Sequence, residues 1–340
     1  MARLAKAAAL ALAVISLAKP AHAQDTPLIS GGAGFFSNTP GGQTSYLPEI
    51  QPVLAAPIGK KFLIESRALL SEDFFPNPSV HGYDHAEFIA LQYLQLDYLA
   101  SRHLTVVAGS FLTPFNVFNE RLSQIWVNPF QDGPLIESIA DFSSGTSLGA
   151  QLRGSALSRR KYSLDYAAYF SARSSNQQFN AGRAAGGRLS LYLPEKRLEV
   201  GASYTRQLQG VHENFYGAHA WWEPKDTAFR LRSEYARGHH AQGYWVGVDY
   251  RSQAFGGLDS WVGRIEPIFR FQQTFRRDNA ASDTLPATNT QRADFGLNYN
   301  LPHNTRILTS YSRVFSAAGN SNLWETGIVY RFLFPTWKGK

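Results

Sequence analysis

Residues 294–301 read Asp294-Phe295-Gly296-Leu297-Asn298-Tyr299-Asn300-Leu301. Phe295, Leu297, Tyr299 and Leu301 share one parity, and Asp294, Gly296, Asn298 and Asn300 share the other. Side chains alternate across a β-strand, so this stretch makes a ribbon with one apolar and one polar face. The same pattern sets Leu189, Leu191 and Leu193 against Arg188, Ser190 and Tyr192. It sets Leu198, Val200, Ala202 and Tyr204 against Glu199, Gly201, Ser203 and Thr205, and Tyr244, Val246, Val248 and Tyr250 against Trp245, Gly247, Asp249 and Arg251. The alternation continues through nearly all of the chain after its first residues.

The connections between these runs alternate in length. Short ones lie at 57–61, 100–103, 158–161, 194–197, 223–226 and 302–304. Longer polar ones lie between them, near 73–84, 114–144, 174–182, 209–213, 238–241 and 275–289. Short turns on one side and longer loops on the other describe an up-and-down meander. Strands are expected near 28–36, 45–56, 61–72, 85–99, 104–113, 145–157, 162–173 and 183–193. The second half continues with 198–208, 214–223, 228–237, 242–253, 260–274, 290–301, 305–316 and 322–334. That makes sixteen, an even number that returns both ends of the chain to the side of the short turns. The connection at 254–259 is longer than its class predicts.

Only 17% of the 340 residues are charged, below the roughly 25% usual in soluble domains, while 14% are aromatic. The absence of cysteine excludes disulfides, a thiol nucleophile and cysteine-ligated metal. At the N-terminus Arg3 and Lys6 precede an apolar run, Ala7 to Ala18, and Ala21-His22-Ala23 offers a small-X-small cleavage site. Residues 1–23 therefore read as a Sec signal peptide, the apolar run being too short for the roughly 20 residues of a membrane-spanning helix. Removing Arg3, Lys6 and Lys19 lowers the formal net charge from +7 to +4, which does not point to nucleic acid in an exported protein. No later stretch is long and apolar enough for a helical span, and no layer of helices is foreseen to cover the apolar faces. Lipid covers them, and only a closed barrel then satisfies every backbone hydrogen bond. The expectation is an all-β protein, a transmembrane antiparallel up-and-down β-barrel of sixteen strands over residues 24–340. The rival is a soluble sandwich or propeller, folds that rarely alternate short and long loops so regularly.

Two motifs resemble those of the outer-membrane porin superfamily. In the last strand Glu325-Thr326-Gly327-Ile328-Val329-Tyr330-Arg331-Phe332 is similar to the polar-x-Gly-x-x-aromatic-x-aromatic signal that such proteins present to the barrel-assembly machinery, with Glu325, Gly327, Tyr330 and Phe332 on the matching positions. Family members commonly stop at an aromatic, whereas this chain continues past Phe334 to Lys340. The longest loop, 114–144, follows the fifth strand, where sixteen-stranded porins carry the loop that folds into the lumen and narrows it. The stretch Gly109-Ser110-Phe111-Leu112-Thr113-Pro114-Phe115-Asn116 is similar to one in porins related to the phosphate-selective type. The Pro-Glu-Phe-Gly-Gly signature of the general porins is absent, so no subfamily follows.

That loop contains Glu120, Asp132, Glu137 and Asp141 against Arg121, a charge of −3. It also holds Phe115, Phe118, Ile125, Trp126, Phe130, Leu135 and Ile136, too much apolar surface to leave in water. Parity assigns to the lumen Glu65, Glu87, Asp97, Asp165 and Glu199 with Arg67, Arg153 and Arg188. It also assigns Arg230, Arg232, Arg251, Arg264, Arg270 and Arg292 with Glu234, Asp249, Glu266 and Asp294. An arginine on the lipid face at the midplane costs about 2–4 kcal/mol, which is why a membrane barrel turns these groups inward. An arginine-rich wall facing an acidic loop sets a field across the pore; the alternative is paired charge that only solvates the lumen. The expected constriction is thus Glu120, Arg121, Asp132, Glu137 and Asp141 opposite Arg230, Arg232, Arg251, Arg264, Arg270 and Arg292.

Other chemistries find weaker support. His212 and His219 have opposite parity and do not converge, and His239-His240 lie in an external loop, so no metal site is expected. No Gly-x-Ser-x-Gly elbow marks a hydrolase. Gly31-Gly32-Ala33-Gly34 lacks the Gly-Lys-Ser/Thr of a phosphate loop, so no cofactor is implied. The reading is an outer-membrane porin, not an enzyme: a passive diffusion channel for small hydrophilic solutes or ions. Its partners are outer-membrane lipid, the barrel-assembly machinery and those solutes. Trimeric porins share this design, and a homotrimer comes with the resemblance, although no stretch marks a trimer face. The alternatives are a barrel that sheathes a periplasmic electron-transfer or secretion partner, or an outer-membrane hydrolase.

Overall fold

A computed structural model describes residues 27–77, 79, 82–140, 145–176, 179–210, 212–278 and 285–335. The expected signal peptide at 1–23, Asp141 and the tail at 336–340 lie outside the described residues. The first eight strands are β1 (Leu28–Pro40), β2 (Ser45–Ile58), β3 (Phe62–Asn77), β4 (Gly82–Ser101), β5 (Leu104–Leu112), β6 (Thr146–Ser158), β7 (Ser163–Ser171) and β8 (Ala184–Leu193). The rest are β9 (Leu198–Gln207), β10 (Asn214–Trp222), β11 (Phe229–Arg237), β12 (Ala241–Tyr250), β13 (Ile265–Arg276), β14 (Thr290–Leu301), β15 (Thr305–Ser316) and β16 (Ser321–Pro335). Each pairs antiparallel with its neighbours in sequence, and β1 pairs with β16 from Leu28 opposite Pro335 to Pro40 opposite Leu323. The sheet thus closes on itself and leaves no edge among the described strands.

Alternation decides which side chain meets which medium. Along β12, Ala241, Gly243, Trp245, Gly247 and Asp249 are buried, while the residues between them are partly exposed. Leu189, Phe295 and Trp324 keep 55–57% of their surface on the outside. Rings pair across strands on that outer surface, Phe269 with Phe295 at 4.9 Å and Tyr311 with Trp324 at 4.8 Å between centroids. Such pairs add about 0.5–1.5 kcal/mol each beyond area burial.

Two departures from the expected strand limits have local causes. The polar stretch near 73–84 is expected as loop, yet β3 and β4 continue through it. Backbone pairing runs to Asn77 opposite Gly82, and the polar side chains satisfy one another, His85 with Glu72 at 2.8 Å and Asn77 donating to Asp84 at 2.6 Å. At the other end, β13 begins at Ile265 rather than near 260. Residues 251–264 instead form a 3-10 turn at Ser252–Phe255 and further turns, with Trp261 70% exposed. Gly256, Gly257 and Gly263 fall in this stretch, where they cost a ladder its entropy and favour turns.

Candidate functional site: a loop across the lumen

The connection between β5 and β6 closes on itself at its base. Thr113 donates its N–H to the Gly145 carbonyl at 2.9 Å, and Asn119 donates to the same oxygen at 2.7 Å. From there the loop crosses the barrel interior. Asn116 takes a left-handed conformation, φ 51°, which turns the chain inward, and its N–H donates to the Ser203 hydroxyl on β9 at 3.0 Å. The next N–H groups, of Val117 and Phe118, both donate at 2.8 Å to the Glu234 carboxylate on β11. Glu234 also accepts the indole N–H of Trp245 at 3.2 Å. These bonds start a one-turn helix, α1 (Phe118–Arg121), whose first N–H groups have no partner within the turn.

Apolar contacts hold what the carboxylate positions. Phe118, Leu122, Ile136 and Ile139 of the loop pack with Phe215, Ala236 and Trp245 of the wall. Ile125 packs with Phe36, Leu308 and Val329, and Trp126 lies beside them. Two of the buried apolar clusters among the described residues therefore lie at the seam between loop and lumen wall, and a third, of Val107, Phe111, Tyr169 and Ala184, lies within the wall. Gly32 serves that seam: a Cβ there would lie 2.7 Å from the Trp126 ring. The glycine run at 31–34 thus has a packing use.

Charge closes the far end of the loop. Asp132 binds Arg270 at 2.9 Å and Arg292, and both arginines also bind Asp294, at 2.7 and 2.5 Å. Phe130 lies under the Arg270 guanidinium at 4.4 Å. Buried ions survive only when paired and hydrogen-bonded, and the four groups supply one another. Gln272 accepts the Leu135 N–H at 2.7 Å, Asn298 donates to the Pro129 carbonyl at 3.0 Å, and Arg306 donates to the Asn128 carbonyl at 2.5 Å.

The expected constriction residues separate into groups. Glu120 pairs with Arg188 on β8 at 2.6 Å, and Arg121 with Glu199 on β9 at 2.7 Å. Glu137 is exposed at the start of a 3-10 turn, Glu137–Ala140. The arginines do not form a single wall: Arg230, Arg251 and Arg264 border a cavity shared with Trp126 of the loop, while two others touch the loop itself. Arg270 and Arg292 grip it through Asp132. Arg232 pairs with Asp249 at 3.0 Å and lies over Trp221, and Arg230 binds Asp249 and Glu266. Arg251 stands 3.7 Å from Glu223, and Arg264 donates to the Leu258 carbonyl at 2.7 Å. The reason for the departure is that inward parity places a group in the lumen without saying at what height or against which loop atom it ends.

Two polar cavities lie beside the loop. One, about 500 Å³, is bounded by Glu120 and by wall residues of β3 to β8, among them Glu65, Tyr93, Arg153, Asp165 and Arg188. The other, about 650 Å³, lies toward the short turns under Trp126. Five arginines border it, Arg230, Arg251, Arg264, Arg306 and Arg331, against Asp259 and Glu266. Sequence reasoning places Glu234 in the lumen but not its capping role, and it singles out neither Arg306 nor Asn298. Their inward parity is legible, but their partners are not.

In the last strand Glu325 points inward, 1% exposed, and accepts from Ser310 at 3.0 Å. Tyr330 and Phe332 have the opposite parity and face out, and Tyr330 keeps 46% of its surface.

Solved structures share this architecture. An OmpF of Salmonella typhi in complex with daunomycin aligns over 92% of this chain and 99% of its own, at 11% identity and a TM-score of 0.63. A loop-L8 deletion mutant of OmpT, an outer membrane protein of Vibrio cholerae, aligns over 91% and 100%, at 7% identity and a TM-score of 0.60. An anion-selective porin from Comamonas acidovorans aligns over 90% and 99%, at 11% identity and a TM-score of 0.56. The chain has the fold of the outer-membrane porins. No protein-family model matches it, and no curated protein matches it in sequence. At such identities the likeness is one of backbone, so the porin fold here is filled by this chain's own lumen residues. The alignment covers nearly the whole length of each of those porins.

Proposed function

We propose that this chain is an outer-membrane porin, a passive diffusion channel for small hydrophilic solutes or ions. The observation that carries the reading is the loop between β5 and β6, bonded across a polar lumen with cavities beside it, inside a barrel whose outer face is apolar. Solutes then pass between Glu120 of the loop and the wall of β3 to β8, where Glu65, Asp165, Arg153 and Arg188 stand. Selection is by size, tuned by these charges, and no covalent chemistry is needed. A barrel that sheathes a partner needs a free lumen, and the loop occupies much of that space, which favours the channel.

The proposal includes export through residues 1–23 and presentation of Glu325, Gly327, Tyr330 and Phe332 to the assembly machinery. It also includes contact of the outer belt with lipid, and assembly as a homotrimer. Single-channel recording of the refolded chain in a planar bilayer, under a salt gradient, tests the central claim. Stepwise conductance with a measurable reversal potential is expected. A folded barrel that passes no current would overturn the channel reading.

A further inference from the structure

At the loop end of the barrel three connections meet. The hairpin between β11 and β12 closes with Gly238 donating to the Ala241 carbonyl at 2.8 Å, so that His239 and His240 form its tip. Their rings stand perpendicular, 4.9 Å apart between centroids. The backbone N–H of Arg277 donates to the His240 carbonyl at 2.9 Å, which brings Asp278, just beyond β13, against the same tip. Nδ1 of His240 lies 2.5 Å from the Asp278 carboxylate. Nε2 of the same ring lies 3.2 Å from Glu213, in the connection between β9 and β10.

We infer that His239, His240 and Asp278 form a binding site for a borderline divalent cation of the zinc class, with Glu213 orienting His240 from outside the coordination sphere. One ligand atom from each of the three residues lies within 4.8 Å of the other two, so small side-chain rotations bring them to the roughly 2.0–2.2 Å of zinc–nitrogen and zinc–oxygen bonds. Two imidazoles and one carboxylate are the donor set that zinc, nickel and copper prefer; magnesium and calcium take oxygen. Three protein ligands leave a fourth position for water. The far nitrogen of a ligating histidine commonly donates to a carboxylate, which fixes the tautomer and the ring plane. Glu213 stands where that partner is required. The cation takes the place of the proton shared between His240 and Asp278, so the ion pair present without metal marks the same locus. Binding joins the β9–β10, β11–β12 and β13–β14 connections at one point on the outer rim, a consequence independent of whether the barrel conducts.

The test is equilibrium dialysis of the refolded full chain, without an affinity tag, against zinc chloride. One ion per chain is expected, undisplaced by excess magnesium. His239→Ala and Asp278→Asn abolish saturable binding, and Glu213→Gln weakens it about tenfold, the scale of outer-sphere losses. His85→Ala, which alters a separate exposed histidine paired with Glu72, leaves it unchanged. Heat-modifiable mobility on gels confirms that each variant folds. Absence of one-to-one binding, or equal affinity in the His239, Asp278 and His85 variants, would overturn the site and leave His240 as an ion-pair bridge alone.

Discussion

Glu234 shows how one side chain can anchor a loop across a barrel's interior. Its carboxylate is 4% exposed and receives two backbone N–H groups of the loop and the indole of Trp245. Glu234→Ala orphans those donors, each at about 1–3 kcal/mol when buried. The barrel ladder is untouched, so the loss falls on the loop: open-channel current noise should rise while the folded fraction on gels stays the same. Glu120 lies on the proposed solute path. It faces the cavity beside β3 to β8 and neutralises Arg188. Glu120→Gln removes a negative charge there and unmasks a positive one. The reversal potential in a salt gradient should move toward anion preference, and an unmoved potential would place the conducting path elsewhere.

At the scale of the element, the loop between β5 and β6 is, among the described residues, the irregular segment that packs buried apolar side chains against the wall. Its apolar residues meet Phe215 and Trp245 on one side, and Phe36 and Leu308 on the other. Asp132 is held by two arginines that Asp294 already holds. Deleting residues 118–140 should enlarge single-channel conductance, because it takes the loop's mass out of the lumen and leaves the strands paired. Unchanged conductance in a folded deletion would sink the constriction assignment. The strands themselves were legible from period two alone: β14 and β15 occupy the expected residues, and the others shift mainly at their ends. The larger misses, at β3, β4 and β13, arise where ladder pairing or glycine-rich turns outweigh local polarity.

Across the whole molecule, apolar residues turned outward and polar residues turned inward invert the arrangement of a soluble domain. Phe295, 55% exposed near the middle of β14, tests this. Phe295→Arg should cost about 2–4 kcal/mol in a lipid bilayer if that position lies near the midplane. Denaturant titration of the refolded protein in vesicles measures it, and a cost near zero would place Phe295 away from lipid.

Alternation and turn spacing were legible along the sequence by itself, and with them the number of strands, the closure of the barrel and most of the inward groups. Glu87 is an exception, because a bulge opposite Arg67 and Ala68 reverses the parity of β4 and sets it opposite Glu72 on the outer face. Period two is a property of neighbours within one strand, so about ten residues suffice to display it. Only the tertiary structure decided which inward group meets which loop atom. Asp132 and its two arginine partners are 138 and 160 positions apart in the chain. His240 meets Glu213 and Asp278 across 27 and 38 positions. No local pattern encodes such meetings, because they depend on the height and curvature of a closed sheet and on the path a loop takes through it.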